Sequence, residues 1–506
     1  MEPLSTAPTE GLNAGLPPAG GPARTHGYGA WVAWAAILLV AGLSIFADRL
    51  FADSEQGEEL DDTVGLILVH LQGKYLIGAS ALMPMNAAQL YTQSEVMLNL
   101  GTLPQRQRFV VMAGEMAGPA EARRQLDALD DLIAAPPVGE PPRFEPNEVA
   151  VQRILHELYP PDLDDLADQD ARAVAAAVEV SPDKRAVLVE GLGWFGELAA
   201  ADRGGGDAAQ HDALLASAKA VAGVIVGIAM LGLVAGVLGF AGLVLVIVFV
   251  LNGRLRSGLG VSRAPHGVYA ETFAVWLFLF IGVQQLLTLV PNDALHMILV
   301  IASFPISLVS LGWPVLRGVG WRDVRQDVGL TLGSRPLLEP LIGLGGYLVT
   351  LPVLGAGLVI TLGLMGLQGA MADEPPTFSP SGGPAHPVIT YMSGPDIGPK
   401  LLVLVLAAVC APVVEEIMFR GVLYRHLRGG TGKLGPALSI VLSTVANTLL
   451  FAAIHPQGFV AIPALMGLAC GMTLIREWRG TIVPSIIIHG TSNTIVMSTL
   501  WLALGV

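Results

Sequence analysis

Apolar positions dominate this chain in long blocks. Runs wide enough to cross a bilayer stand at 28–47, 220–251, 270–290, 297–316, 337–367, 399–419, 437–455, 459–475 and 481–504. A helix rises ~1.5 Å per residue, so ~20 apolar residues cross a hydrocarbon core of ~30 Å. In lipid the backbone must satisfy its own polar groups, so these runs are expected as helices. Between the first and second runs lies a polar stretch, 49–212. Helical periodicity is visible there in EARRQLDALDDLIAA and EVAVQRILHELY, separated by PPVGEPPRFEP. The pattern predicts an all-α protein: a polytopic transmembrane helix bundle of about nine spans with an inserted helical extracytoplasmic domain.

Composition agrees with the pattern. The chain is 53% hydrophobic with mean hydropathy +0.60, too apolar for an ordinary soluble domain. Residues 51–212 hold 28 acidic and 11 basic residues, while the whole chain has a net charge of −14. The acid is therefore concentrated in the polar insert and the rest is slightly basic. Arg254, Arg256 and Arg263 fall in one loop, Arg317, Arg322, Arg325 and Arg335 in the next but one, then Arg425, Arg428 and Lys433, then Arg476 and Arg479. That alternation follows the positive-inside rule. It places the N-terminus inside and the acidic insert outside. The boundaries expected are a disordered tail at 1–27, an anchor at 28–48, the acidic helical domain at 49–212, membrane helices and loops at 213–394, and a catalytic transmembrane core at 395–506. The loop 368–398, rich in Pro and Gly, is read as irregular. No basic patch points to nucleic acid. Cys410 and Cys470 both lie in apolar runs and form no CxxC site.

The chemistry sits in the last quarter. A charged side chain at the membrane centre costs ~2.5–3.5 kcal/mol on insertion scales, and such residues usually face a polar interior. The sixth run holds Glu415, Glu416 and Arg420; the seventh ends with Phe451 and His455; the ninth holds His489 and Asn493. On an α-helix, Glu416 and Arg420 share a face and Glu415 points ~100° away. One carboxylate is then tied to the guanidinium while the other faces elsewhere. Pro412 removes a backbone hydrogen bond one turn earlier and is expected to kink the helix. Each piece has a plainer structural reading. Glu416–Arg420 serves as a buried brace, His455 as an interfacial residue, and His489 with Asn493 as a hydrogen-bonded bridge between helices. Their joint occurrence on three helices favours a site.

The ordered set EExxxR, FxxxH and HxxxN, standing as Glu415-Glu416…Arg420, Phe451…His455 and His489…Asn493, resembles the CPBP family of intramembrane proteases. That family includes the type II CAAX prenyl endopeptidases and abortive-infection-type bacterial homologues. The resemblance covers roughly residues 395–505. It implies an intramembrane glutamic endopeptidase in which Glu415 activates water with His455 beside it, His489 and Asn493 stabilise the oxyanion, and Glu416, Arg420 and Phe451 support the set. No metal-ligand spacing such as HExxH occurs within any one helix, so no cofactor and no metal are expected. The expected partners are membrane lipid, a membrane-associated protein or peptide substrate, and a protein partner for the 49–212 domain. The expected location, from the Ala/Gly/Pro-rich composition, is a bacterial inner membrane. Three competing readings use the same residues: a zinc hydrolase on Glu415, His455 and His489, a proton or ion pathway, and a silent scaffold.

Overall fold

A computed structural model describes residues 28–51, 70–83, 87–99, 102–134, 144–201, 208–371, 391–392, 396–455 and 459–505. The tail 1–27 and residues 372–390 and 393–395 of the loop 368–398 lie outside them. No strand occurs among the described residues, and each apolar run is helical. We number these helices α1 (Tyr28–Phe51), α2 (Ala208–Leu251), α3 (Val268–Leu287), α4 (Ala294–Leu316), α5 (Glu339–Met371), α6 (Ile397–Leu434), α7 (Pro436–Ala453), α8 (Ile462–Arg479) and α9 (Val483–Gly505). Seven described segments, α2 to α8, are long and apolar enough to cross a membrane; α1 adds the shorter apolar stretch Gly29–Leu43. The chain is a multi-pass membrane protein.

The polar insert folds as short helices around one core. Phe109, Val110, Leu126, Leu155, Leu188 and Phe195 are buried together, with Leu214 and Ala218 of α2 among them. α2 is 44 residues long, or ~66 Å at the helical rise, about twice the hydrocarbon thickness. Its first turns therefore belong to the domain and its remainder to the bilayer. The close crossing is set by Gly78, where a Cβ would lie 2.0 Å from the Ala218 carbonyl oxygen.

In the membrane part, helices approach closely where small residues allow it. A Cβ on Gly467 would meet Val353 O at 2.7 Å, and one on Gly239 would meet Leu348 O at 2.0 Å. α6 runs through the middle: every residue from Glu416 to His426 is buried, as befits a helix covered on all sides. Much of its packing is aromatic, with Phe273, Trp276, Phe419 and Phe451 in one cluster. Three of the arginines read from sequence as loop charges are ion-paired at one end of the bundle. Arg425 meets Asp327 at 2.9 Å, Arg428 meets Glu477 at 3.0 Å, and Arg479 meets Glu339 at 2.5 Å. Asp327 also accepts from Tyr269 Oη at 2.8 Å. These contacts lock α6, α8, α5 and the short helix Trp321–Val328 in register.

One group in the polar helical domain gives a pH signature. Burial, helped by Lys74 and Arg108, pushes His70 down to about 4 from its ordinary 6.5. The folded state then holds His70 neutral while the unfolded chain protonates it below 6.5. Stability from this group is complete above pH 6.5 and falls as pH drops toward 4, by at most ~1.4 kcal/mol per unit. Melting of the full chain in detergent at pH 7 and pH 4.5 is expected to show a larger acid loss for the wild type than for His70→Phe, which keeps the ring packing on Trp194 and Phe195.

Candidate active site

The site is built on a break in α6. Two stretches, Leu406–Cys410 and Glu416–Leu423, are wound as π-helix, with the α-helical turn Ala411–Glu415 between them. Sequence periodicity predicts an uninterrupted, kinked α-helix here. The structure instead inserts wider turns on both sides of Glu415, a device that recurs at functional sites. Pro412, which has no N–H to donate, stands just past the first wide turn.

Glu416 and Arg420 face into the protein, each with no solvent exposure. Arg420 Nη1 donates to Glu416 Oε1 at 2.8 Å. The guanidinium also lies over the Phe451 ring, 4.3 Å from its centroid, and reaches Ala469 O at 3.5 Å. Glu416 Oε1 accepts a second bond, from His489 Nδ1 at 2.9 Å. That bond turns His489 Nε2 toward Glu415, whose Oε2 lies 3.8 Å away. His455 reaches the same oxygen from the other side, its Nε2 at 3.6 Å. A carbonyl can only accept, so the 2.6 Å contact of His455 Nδ1 with Phe451 O puts the proton on Nδ1 and leaves Nε2 facing Glu415.

His455 belongs to the far end of its apolar run and His489 to the near part of its own, yet they meet. Two features bring this about. α7 stops at Ala453, and the His455 ring folds back along its own helix to Phe451 O, tilted 48° against the Phe451 ring with 4.1 Å between centroids. The Phe451 ring in turn stands edge-on to His489, 5.8 Å between centroids. The one aromatic ring thus touches both imidazoles and the guanidinium, and it is 1% exposed.

Asn493 lies one turn beyond His489, and its Nδ2 donates to Ala407 O of α6 at 2.7 Å. Sequence reasoning passed over the polar residues behind Arg420. Asn447 Nδ2 reaches Thr473 Oγ1 at 3.5 Å, and Thr473 donates to Ala469 O, the carbonyl that Arg420 also touches. The signal was present: Asn447 is four residues before Phe451 in an apolar run.

Residues 397–495 match the family described as Type II CAAX prenyl endopeptidase Rce1-like. This segment is an Rce1-like domain. It spans α6 to the middle of α9 and contains Glu415, Glu416, Arg420, Phe451, His455, His489 and Asn493. The acidic domain and α1 to α5 lie outside it. No curated protein and no solved structure matches the chain. The Rce1-like domain supports an intramembrane endopeptidase, and its two adjacent glutamates have different surroundings.

Those surroundings give different responses to mutation. Glu416→Gln removes the carboxylate shared by Arg420 and His489 and leaves a buried guanidinium without its counter-charge, a loss of ~3–5 kcal/mol. Glu415→Gln leaves that pair intact. In detergent melts, Glu416→Gln is expected to lower the melting temperature by several degrees and Glu415→Gln to leave it nearly unchanged. Equal destabilisation by both would contradict the assignment.

Proposed function

We propose that the chain hydrolyses peptide bonds of membrane-associated proteins or peptides, with Glu415 as the general base that activates water. The observation that carries this reading is the position of Glu415 Oε2. It is buried, has no hydrogen-bond partner among the described residues, and faces the Nε2 atoms of His455 and His489 at 3.6 and 3.8 Å. Contacts of that length between polar atoms fit a bridging water. A water held there donates one hydrogen to Glu415 Oε2 and another to His455 Nε2.

The chemistry follows from that arrangement. The water oxygen attacks the scissile carbonyl carbon as Glu415 takes its proton. The carbonyl π electrons move to oxygen, and a donor at His489 Nε2 stabilises the charge. The tetrahedral intermediate collapses, the C–N bond breaks, and Glu415 returns the proton to the leaving amine. Stabilising the oxyanion in a poorly solvated site is commonly the largest single contribution to the rate. The substrate is framed by lipid, and the acidic outer domain stands at the head of α2, where a protein partner would meet it.

A second reading rests on one observation. Both imidazoles commit Nδ1 to an oxygen and turn Nε2 toward Glu415, as zinc-bound histidines do. Against it, no group of three or more His, Cys, Asp or Glu side chains is spaced to hold a metal among the described residues.

The test compares membrane-protein N-termini in native membranes containing wild type or Glu415→Gln. New N-termini are expected with the wild type and to fall by at least ~10²–10⁴-fold in the variant, the usual share of general-base catalysis. Identical N-termini in both would refute the proposal. Cleavage lost on chelation and restored by zinc would move Glu415, His455 and His489 to a metal site.

A further inference from the structure

We propose that Asn493 is a positioning residue: its amide holds α6 in the π-turned form that aims Glu415 at the two histidines. The inference rests on the reading of Glu415 as the base, and deepens it.

Within Leu406–Cys410 the Ala411 N–H donates to Leu406 O, five residues back. In an α-helix that N–H would serve Ala407 O. In a π pattern Ala407 O would instead receive the N–H of residue 412, and residue 412 is proline. Its own helix therefore supplies Ala407 O with no donor by either pattern. Ala407 is half-buried in a helix apolar enough to span the membrane, and a carbonyl there, away from water, needs a partner from elsewhere. Asn493 Nδ2 is that partner, at 2.7 Å.

Ala408 O loses its α-helical donor to the same proline, residue 412. α9 passes so close to it that a Cβ on Gly490 would lie 2.7 Å from the oxygen. α9 thus meets the two freed carbonyls with an amide at Asn493 and a bare backbone at Gly490, one turn apart. His489 directly precedes Gly490, so the contact that serves the π-turn also fixes the height of His489 against Glu416.

The consequence for Glu415 is a matter of phase. A π-turn holds about one residue more than an α-turn, and one residue is ~100° of rotation. If the turn relaxed, the helix after Pro412 would rotate by about that angle. Glu415 would leave the histidines, and Glu416 would leave Arg420. One Asn493 amide hydrogen is committed to Ala407 O of α6.

The test is a double-mutant cycle with Pro412→Ala, which restores an N–H that can reach Ala407 O in the π register. Asn493→Ala alone is expected to lower cleavage per folded molecule by ~10²-fold, the usual effect of a ~1 Å misplacement. In the Pro412→Ala background the same change is expected to cost less than about tenfold, a coupling expected of residues sharing one contact. An oxyanion donor would lose the same factor in both backgrounds, and that result would overturn the inference. The cycle is repeated in thermal melts, which need no substrate. The drop caused by Asn493→Ala is expected to shrink beside Pro412→Ala; equal drops would overturn the inference. If Asn493→Ala is too unstable to purify, Pro412→Ala is expected to restore its yield, and failure to do so counts against the proposal. Because the melts are blind to chemistry, failure of the Glu415 reading leaves them standing. An additive cycle sinks the Asn493 role alone.

Discussion

The structure of the site depends on one buried ion pair. Glu416 and Arg420 have no solvent exposure, and removing two charges from water costs several kcal/mol each. Their attraction offsets that cost more fully as the remaining polar atoms find partners. The surroundings supply several: His489 on Glu416 Oε1, and Ala469 O and the face of Phe451 on the guanidinium, while Glu416 Oε2 and Arg420 Nε have no hydrogen-bond partner among the described residues. Once this cluster is made, the rotation of α6 about its axis is fixed. Glu415, the next residue along, then has to point to a different side, and it points into the gap between His455 and His489.

The same logic explains the wide turns in α6. A regular helix offers no free carbonyls to its neighbours. Pro412 and the π-turn before it free two, and α9 is shaped to receive them through Asn493 and Gly490. The helix that carries His489 is thereby seated on the helix that carries both glutamates. Phe451 closes the third side. Its ring contacts both imidazoles and the guanidinium, and its carbonyl sets the proton on His455. Far from the site, Arg425–Asp327 and Arg428–Glu477 hold the other end of α6, so its rotation is opposed at both ends.

Much of this was legible in the chain. Lipid forces backbone satisfaction, so long apolar runs could only be helices, and the i, i+4 spacing of Glu416 and Arg420 foretold their contact. The π-turns were not legible, because they leave hydrophobic periodicity nearly unchanged and reveal themselves only in hydrogen bonding. Nor was the place of Asp327, which lies among loop arginines in sequence but is buried against Arg425, 98 residues away. The meeting of His455 with His489 was hidden for a related reason: it depends on a ring folding back past a helix end, which spacing does not encode. The run of α2 into the polar helical domain was hidden as well. Its polar first turns resemble the domain they pack into, so composition draws a boundary at 212 where the core continues to Ala218.

The central claim is that two adjacent glutamates are divided between chemistry and construction. The most direct measurement is cleavage per folded molecule for Glu415→Gln and Glu416→Gln, with folded protein counted in the same preparation. The account predicts that Glu415→Gln folds and does not cleave, whereas Glu416→Gln yields less folded protein but retains measurable cleavage in what remains. A Glu415→Gln enzyme with near wild-type specific activity would contradict it.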